Sequence, residues 1–177
     1  MKYRLWFLQA ILVSVFLPSW LGAQIAEHTH PWWVDLGAGP SFVQSSLSYS
    51  AGMVYCYQLE QSIISARIIG QTNNNPTIQR WDRSSTIYKM SDYGVLYSAC
   101  GAIGVMNYSA GAGIGLVRAV YVVNSATTTK TSASVPLEAQ WFWRPTRFVG
   151  IGVYVYGSLN FERTLSGLLL CAQLGAW

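Results

Sequence analysis

The sequence predicts an all-β fold, an eight-stranded antiparallel up-and-down transmembrane β-barrel, and three observations carry that expectation. The first is the stretch from Phe148 to Leu159. Val149, Ile151, Val153, Val155 and Leu159 fall on one face, interrupted only by Gly157, while Phe148, Gly150, Gly152, Tyr154, Tyr156 and Ser158 fall on the other. Side chains alternate across a strand, so one face is greasy and the other is small, aromatic or hydroxylated, with no charge. A soluble sandwich places its polar and charged residues outside, whereas a membrane barrel places them inside. The second is that eight stretches of strand length succeed one another. The third is composition: 51% of the chain is hydrophobic and 10% charged, against roughly 25% charged in soluble domains. Past the N-terminal segment no apolar run approaches the roughly 20 residues of a membrane helix. Strands closed into a ring are then the membrane-compatible option.

The chain opens as an export signal is expected to. Lys2 and Arg4 precede an apolar Leu5-to-Leu21 run, and Leu21-Gly22-Ala23 supplies small residues for cleavage before Gln24. The predicted organisation is a signal peptide over 1–23, a polar leader over 24–31 and the barrel over 32–177. No cysteine immediately follows the cleavage point, which argues against a lipid anchor.

Taken in order, the strands are expected at Trp32–Phe42, Leu47–Leu59, Ser62–Gln71, Thr86–Ala99, Val105–Val122, Ala133–Trp143, Arg147–Leu159 and Thr164–Ala176. The first places Asp35 on a face with Gly37, Gly39 and Ser41. The third groups Arg67 with Ser65 and Gln71, and the fourth groups Asp92 with Gly94 and Ser98. In the fifth, Gly111, Gly113 and Gly115 line one face, and Arg118 falls on the greasy one near the rim. In the sixth, Val135, Leu137, Ala139 and Trp141 oppose Glu138 and Gln140. The last sets Leu168, Leu170, Ala172, Leu174 and Ala176 against Gln173 and Gly175. Most of these match or exceed the roughly 9–11 residues a tilted strand needs to cross a bilayer.

The connections are expected to alternate. Glu60-Gln61, Cys100 to Gly104 and Pro145-Thr146 are tight. Thr72 to Ser85 and the Ser/Thr-rich Asn124 to Ser132 are longer and polar, and the connections near Ser45 and Asn160 are short. With both barrel ends in the periplasm, the longer loops face outward. Aromatic residues then form two bands, as interfacial anchoring requires. Trp32, Tyr55, Tyr57, Tyr97, Tyr108, Trp141, Trp143, Phe148 and Trp177 lie towards the periplasm, and Phe42, Tyr49, Tyr88 and Tyr121 towards the outside.

Eight strands enclose a space that side chains fill, and a buried charge needs a partner. Asp35, Arg67, Asp92, Glu138 and Gln140 are therefore expected to form a structural ion-pair and hydrogen-bond network in the lumen, joined by Gln58 and Gln173. Phe142, Phe148, Tyr154 and Tyr156 are expected to help fill it.

Several chemistries are disfavoured. Gly111, Gly113 and Gly115 are spaced by two, unlike a phosphate loop, and no helix follows. His28 and His30 are the only histidines and lie in the leader, so Ser-His hydrolysis on the barrel lacks its base. No metal site or cofactor is expected. Cys56, Cys100 and Cys171 show no metal spacing, and the sequence does not choose a disulfide among them. The formal charge of +4, two of it from Lys2 and Arg4, comes with no Lys/Arg run, which disfavours nucleic acid.

The segment Pro136-Leu137-Glu138-Ala139-Gln140-Trp141-Phe142-Trp143-Arg144-Pro145-Thr146-Arg147-Phe148-Val149-Gly150-Ile151-Gly152 resembles a family of small uncharacterised barrels of Bacteroidota-type Gram-negative bacteria. Ser91-Asp92-Tyr93-Gly94-Val95-Leu96-Tyr97 and Ser109-Ala110-Gly111-Ala112-Gly113-Ile114-Gly115 add to the resemblance. The layout is also similar to OmpA- and OmpX-type eight-stranded barrels. The resemblance implies the fold and the outer membrane, and supplies no substrate, cofactor or catalytic residue. Such barrels end in an aromatic residue read by the assembly machinery. Trp177 fits, while Gly175 and Gln173 depart from the apolar residues expected at alternate positions before it.

The function these observations favour is a small plugged outer-membrane barrel with a structural, adhesive or surface-interaction role and no catalysis. Its expected partners are outer-membrane lipid and, during insertion, the barrel-assembly machinery, with an extracellular ligand left open. The alternatives are a soluble periplasmic barrel binding an apolar ligand, whose strands would carry charges outside, and a narrow channel.

Overall fold

The computed structural model describes residues 31–43, 46–72, 86–123, 126–146, 148–161 and 164–176. The expected signal peptide, the leader with His28 and His30, and the bands' Trp177 lie outside these residues, as do the side chain of Tyr88 and the loop over 73–85. Eight strands follow in order: β1 (Trp32–Val43), β2 (Ser46–Leu59), β3 (Ser62–Thr72), β4 (Thr86–Ile103), β5 (Met106–Val123), β6 (Ala126–Trp143), β7 (Val149–Asn160) and β8 (Leu165–Ala176). Each pairs antiparallel with the next, and β1 pairs with β8, so the sheet closes with β1-β2-β3-β4-β5-β6-β7-β8 around the ring. Closure leaves the membrane-level strands without free edges. No helix among the described residues is long and apolar enough to cross a membrane.

Alternation sorts the strands as the sequence predicts. Leu36, Met53, Ile68, Val95, Ile114, Val135, Val155 and Leu170 point outward and are exposed. Asp35, Ser65, Arg67, Asp92, Ser98, Glu138, Gln140, Ser158 and Gln173 point inward and are buried. The sheet is thus inverted relative to a soluble one, with its polar groups inside. Trp32, Tyr55, Tyr97, Trp141 and Trp143 stand on the outer surface towards the end holding the turns β2–β3, β4–β5 and β6–β7, and Phe42 and Tyr49 stand towards the opposite end. Trp32 and Tyr55 stack across β1 and β2 with ring centroids 6.5 Å apart.

Two tight turns show their chemistry. Glu60-Gln61 joins β2 to β3 with Glu60 at φ 48°, and Gly104-Val105 joins β4 to β5 with Gly104 at φ 60°. A left-handed residue suits a short hairpin, and glycine adopts that conformation at least cost.

Closing eight strands requires sharp curvature, and β5 supplies it. A Cβ on Gly111, Gly113 or Gly115 would run into the backbone oxygens of Tyr97, Val95 or Tyr93 on β4. Only glycine lets the two backbones approach so closely. Pro136 is buried in the lumen, and the β5–β6 ladder is interrupted between Ala112↔Leu137 and Gly115↔Ser134, where it supplies no N–H. Its ring packs where Gly94 carries no side chain.

Four expectations are corrected. The Asn124-to-Ser132 stretch is not mainly loop, because β6 begins at Ala126 and pairs with β5 from Val123↔Ala126 onward. Four threonines favour strand there, and both faces are polar, so no alternation marks it. β4 continues to Ile103, and its hairpin turns at Gly104-Val105 rather than from Cys100. Phe148 does not fill the lumen. It is 66% exposed in the β6–β7 turn, where the Thr146 hydroxyl accepts bonds from the N–H groups of Phe148 and Val149 and delays the start of β7. Tyr121 is no outer anchor, since it faces inward and is buried.

β4, β5 and β6 have 18 residues each, against 11 to 14 for the other strands. β5 and β6 run past β7 at the end opposite the tight turns, whereas β4 overruns β3 at both ends, by Thr86–Tyr88 there and by Cys100–Ile103 at the tight turns.

The facing is testable at two positions on β7. Val155→Arg puts a charge on the outward face at the middle of the strand and is expected to cost about 2–4 kcal/mol in a bilayer. Gly152→Ala puts a methyl against the Trp141 carbonyl and Phe142 and is expected to cost roughly 1–3 kcal/mol by overpacking. Reversible unfolding in lipid vesicles measures both, and a tolerated Val155→Arg would mean that the outward face is misassigned.

Candidate functional site in the barrel lumen

The charged side chains of the lumen fall in two stacked layers between its middle and the tight turns, and Arg67 on β3 is the centre of the first. Its side chain is buried and spans the interior to the opposite wall. Nη1 donates to the Leu137 carbonyl at 2.8 Å and Nη2 to the Gly157 carbonyl at 2.8 Å. Leu137 and Gly157 are register partners on β6 and β7, so one guanidinium pins a facing pair of strands to β3. Nη2 also forms an ion pair with the Asp92 carboxylate on β4, which in turn accepts from the Ser158 hydroxyl at 3.3 Å. The Arg67 guanidinium carbon lies 5.9 Å from the centre of the Tyr156 ring, within cation–π range.

Glu138 takes a different set of partners in the same layer. Its Oε1 accepts from Ser65 Oγ at 3.0 Å and Ser98 Oγ at 2.6 Å, and its Oε2 from the Tyr154 hydroxyl at 2.7 Å. Three neutral hydroxyls therefore solvate this carboxylate. Charge-assisted hydrogen bonds of this kind are the strong ones. The Tyr154 hydroxyl also lies 3.5 Å from Arg67 Nη1, which couples the two carboxylates through one phenol and one guanidinium. The layer binds β3, β4, β6 and β7 together. At these levels β5 contributes only Gly111, Gly113 and Gly115, which leave room for the large groups.

The second layer lies towards the tight turns and holds β1, β2, β8 and the β6–β7 turn. Gln173 Nε2 donates to Asp35 Oδ1 at 2.8 Å, and Arg144 Nε donates to Gln173 Oε1. Cys56 donates from Sγ to Asp35 Oδ2 at 3.8 Å, and Gln140 Nε2 approaches the Cys56 sulfur at 3.9 Å. The Arg144 guanidinium folds over the mouth and lies 4.5 Å from the Trp33 ring centre. Burial pulls this guanidinium down to about 10, with the Asp35 charge opposing. It therefore stays cationic at neutral pH.

All five predicted lumen residues lie inside, but the structure divides them. Arg67, Asp92 and Glu138 share the central layer, while Asp35 and Gln140 belong to the second. Gln58 does not join either, because its amide donates to the Glu60 carbonyl in the β2–β3 turn. Arg144 is the participant missed from sequence. Extending the alternation of Glu138, Gln140 and Phe142 by one more step would have placed it inside. Cys56, Cys100 and Cys171 are free thiols.

The Asp92 and Glu138 carboxylates are held by Arg67, Ser158, Ser65, Ser98 and Tyr154, whereas Arg67 Nε and the Ser41, Ser48, Ser109 and Tyr156 hydroxyls are buried without a hydrogen-bond partner. Among the described residues no group of three or more His, Cys, Asp or Glu side chains could hold a metal ion.

No protein-family model matches the chain, and neither does any curated protein. Solved structures do. Neisserial surface protein A is similar with a TM-score of 0.61 at 12% identity, over 83% of this chain and 96% of that one. Ail, the attachment invasion locus protein of Yersinia pestis, is similar with a TM-score of 0.61 at 12% identity, over 84% of this chain and 99% of that one. The N-terminal β-barrel domain of Pseudomonas aeruginosa OprF follows at 0.54 and 12% identity, over 80% and 97%. At such identities the likeness establishes the shared fold alone, a small closed barrel of eight antiparallel strands.

Tyr154→Phe tests the central layer with little change of volume. Loss of the hydroxyl that donates to Glu138 is expected to cost about 1.5–3 kcal/mol, as for other hydrogen bonds to charged groups. Tyr97→Phe, on the exposed outer face, is expected to stay within about 0.5 kcal/mol of the parent. Unfolding midpoints of the two variants, measured side by side, check the contrast.

Proposed function

We propose that the chain is a small plugged outer-membrane β-barrel that acts through its surface, in a structural, adhesive or interaction role without catalysis. The observation that carries this reading is the inversion of the sheet. Large apolar side chains stand exposed on all eight strands, flanked by aromatic residues, while the charges of the middle strands are paired or hydrogen-bonded inside. In water such a surface is an extreme apolar patch. In a bilayer it is the required exterior.

The filled lumen supports a plugged barrel rather than a channel. Trp33, Arg67, Phe142, Tyr154 and Tyr156 are among the largest fully buried side chains, and the Arg67 bridge crosses the interior. The lumen network is accordingly structural in this proposal: it holds the walls together and binds no ligand.

Orientation follows from the ends. A signal peptide over 1–23 delivers the chain to the periplasm, where the assembly machinery takes it up. The tight turns remain on that side and the long ends of β5 and β6 face outward. The described properties of the similar proteins agree with a surface role, since Ail is an attachment invasion locus protein of the outer membrane and the Neisserial relative a surface protein.

Cell fractionation with a gel assay tests the proposal. The protein is expected in the outer-membrane fraction, resistant to alkaline carbonate and urea, released by detergent, and shifted in SDS gel mobility only after heating. A protein that is soluble and monomeric without detergent, with no heat-dependent shift, contradicts it.

A further inference from the structure

At the tight-turn end the lumen is covered by a side chain that comes from a turn rather than from a strand. β6 ends at Trp143, and Arg144, the next inward residue after Phe142, turns back into the barrel. Its guanidinium lies 4.5 Å from the centre of the Trp33 ring, and its Nε donates to Gln173 Oε1. Gln173 in turn donates to Asp35 Oδ1 at 2.8 Å. The cation thus meets an aromatic ring on β1 and an amide on β8 that is itself anchored to a carboxylate. The Arg144 N–H donates to the Val105 carbonyl at 2.9 Å, which ties the turn that carries the cation to the β4–β5 turn.

The place it occupies is shaped for this group. Gly150 on β7 is buried, and a Cβ there would stand 3.2 Å from Arg144 Cγ and 3.2 Å from Gln173 Oε1. Glycine therefore leaves the passage through which the arginine stem enters. Tryptophan offers the best aromatic face for a cation. A guanidinium is planar and weakly hydrated, so it can lie against a ring and still donate to an acceptor. An ammonium is a compact, strongly hydrated point charge and suits the same place less well.

Exposure changes abruptly across this residue. Arg144 is partly exposed, while Trp33, Asp35, Cys56 and Gln173 behind it are at most 1% exposed. The Cys56 sulfur lies 3.8 Å from Asp35 Oδ2, under the same cover, whereas Cys100 is only partly buried. Charge adds a second reason for a cation here. The buried charged side chains are the acids Asp35, Asp92 and Glu138 and the base Arg67. Without Arg144 the acids outnumber the base, and the mouth favours a cation.

We infer that the mouth at the tight turns is a guanidinium-binding seat that the chain fills with its own Arg144, and that this side chain is the stopper of the lumen. With Arg144 seated, the layer around Asp35 and Cys56 is shut to solutes of the periplasm. With its side chain removed, the seat takes a free alkylguanidinium ion in its place. The inference rests on the proposed plugged barrel and its orientation, which put this mouth in the periplasm.

The test uses the full mature chain in lipid nanodiscs and iodoacetamide, a small neutral thiol reagent, with labelling of Cys56 and Cys100 read separately by mass spectrometry. In the parent, Cys56 is expected to label far more slowly than Cys100. Arg144→Ala is expected to speed Cys56 labelling about tenfold or more, as the opening of a protected site does, in a barrel that keeps its heat shift. Loss of a nearby cation does not make a thiol more reactive, so the gain reports access. Millimolar methylguanidinium is expected to slow Cys56 labelling of Arg144→Ala towards the parent rate, and equal urea or methylammonium to do so far less. Gly150→Ala keeps the cation but crowds its passage, and is expected to speed labelling several-fold. An unchanged Cys56 rate in both variants would mean that packing alone shuts the lumen, and would overturn the inference. So would faster labelling in Arg144→Ala that methylguanidinium does not slow, or that urea slows equally, since the wall would then be loosened rather than the seat vacated. Those results leave the plugged barrel intact, whereas a parent chain whose Cys56 labels as fast as Cys100 overturns that reading and the stopper with it.

Discussion

A guanidinium held inside a barrel away from water is the constraint on which the rest of this structure depends. Arg67 cannot point outward at the middle of β3 without placing a charge in lipid, and it cannot lie inside without partners. The fold meets both conditions at once. Asp92 supplies the counter-charge, two carbonyls of facing strands accept from Nη1 and Nη2 while Nε stays without a hydrogen bond, and Tyr154 links the cation to the Glu138 carboxylate. Because these groups come from β3, β4, β6 and β7, satisfying one charge also fixes the distance across the lumen. The glycine row of β5 and the glycine at 94 are the spaces this requires. They let strands curl and let Pro136 and the larger side chains in.

The two layers differ in kind. The central one holds its charge by direct pairing and hydroxyl donors deep in the wall. The layer near the tight turns relies on an arginine from a turn, which covers the mouth by lying over Trp33 while bonded to Gln173. Together they close the lumen from the middle to one end. Towards the other end the wall changes character, since β5 and β6 run past β7, and among the described residues the outer stretch of β6 is laddered to β5 alone.

Much of this was legible because strand alternation carries one bit of information per residue. Asp35, Arg67, Asp92, Glu138 and Gln140 were all placed inside by counting in twos along strands whose other face is greasy. The same count failed where lipid no longer enforces the pattern. Ala126 to Ser132 is polar on both faces and read as loop, yet it is paired strand. Phe148 was counted into the strand although the Thr146 hydroxyl holds it in a turn. Partner choice was illegible for another reason. Whether Arg67 meets Asp35, Asp92 or Glu138 depends on strand tilt and stagger around the ring, which no single strand encodes. Arg144 is hidden from a strand count because Pro145 marks a turn, although the inward face of β6 continues one step past Phe142 to Arg144.

The central claim is that Arg67 and Asp92 form a dry pair on which the barrel's stability depends. A double-mutant cycle measures it most directly, with Arg67→Met, Asp92→Asn and their combination unfolded by urea in lipid vesicles. Arg67→Met alone is expected to cost about 3–5 kcal/mol, since Asp92 is left uncompensated. Adding Asp92→Asn is expected to restore part of that loss, giving a coupling of about 2 kcal/mol or more, towards the upper end for residues in contact. Effects that add to within about 0.5 kcal/mol, as they do for independent sites, would contradict the account.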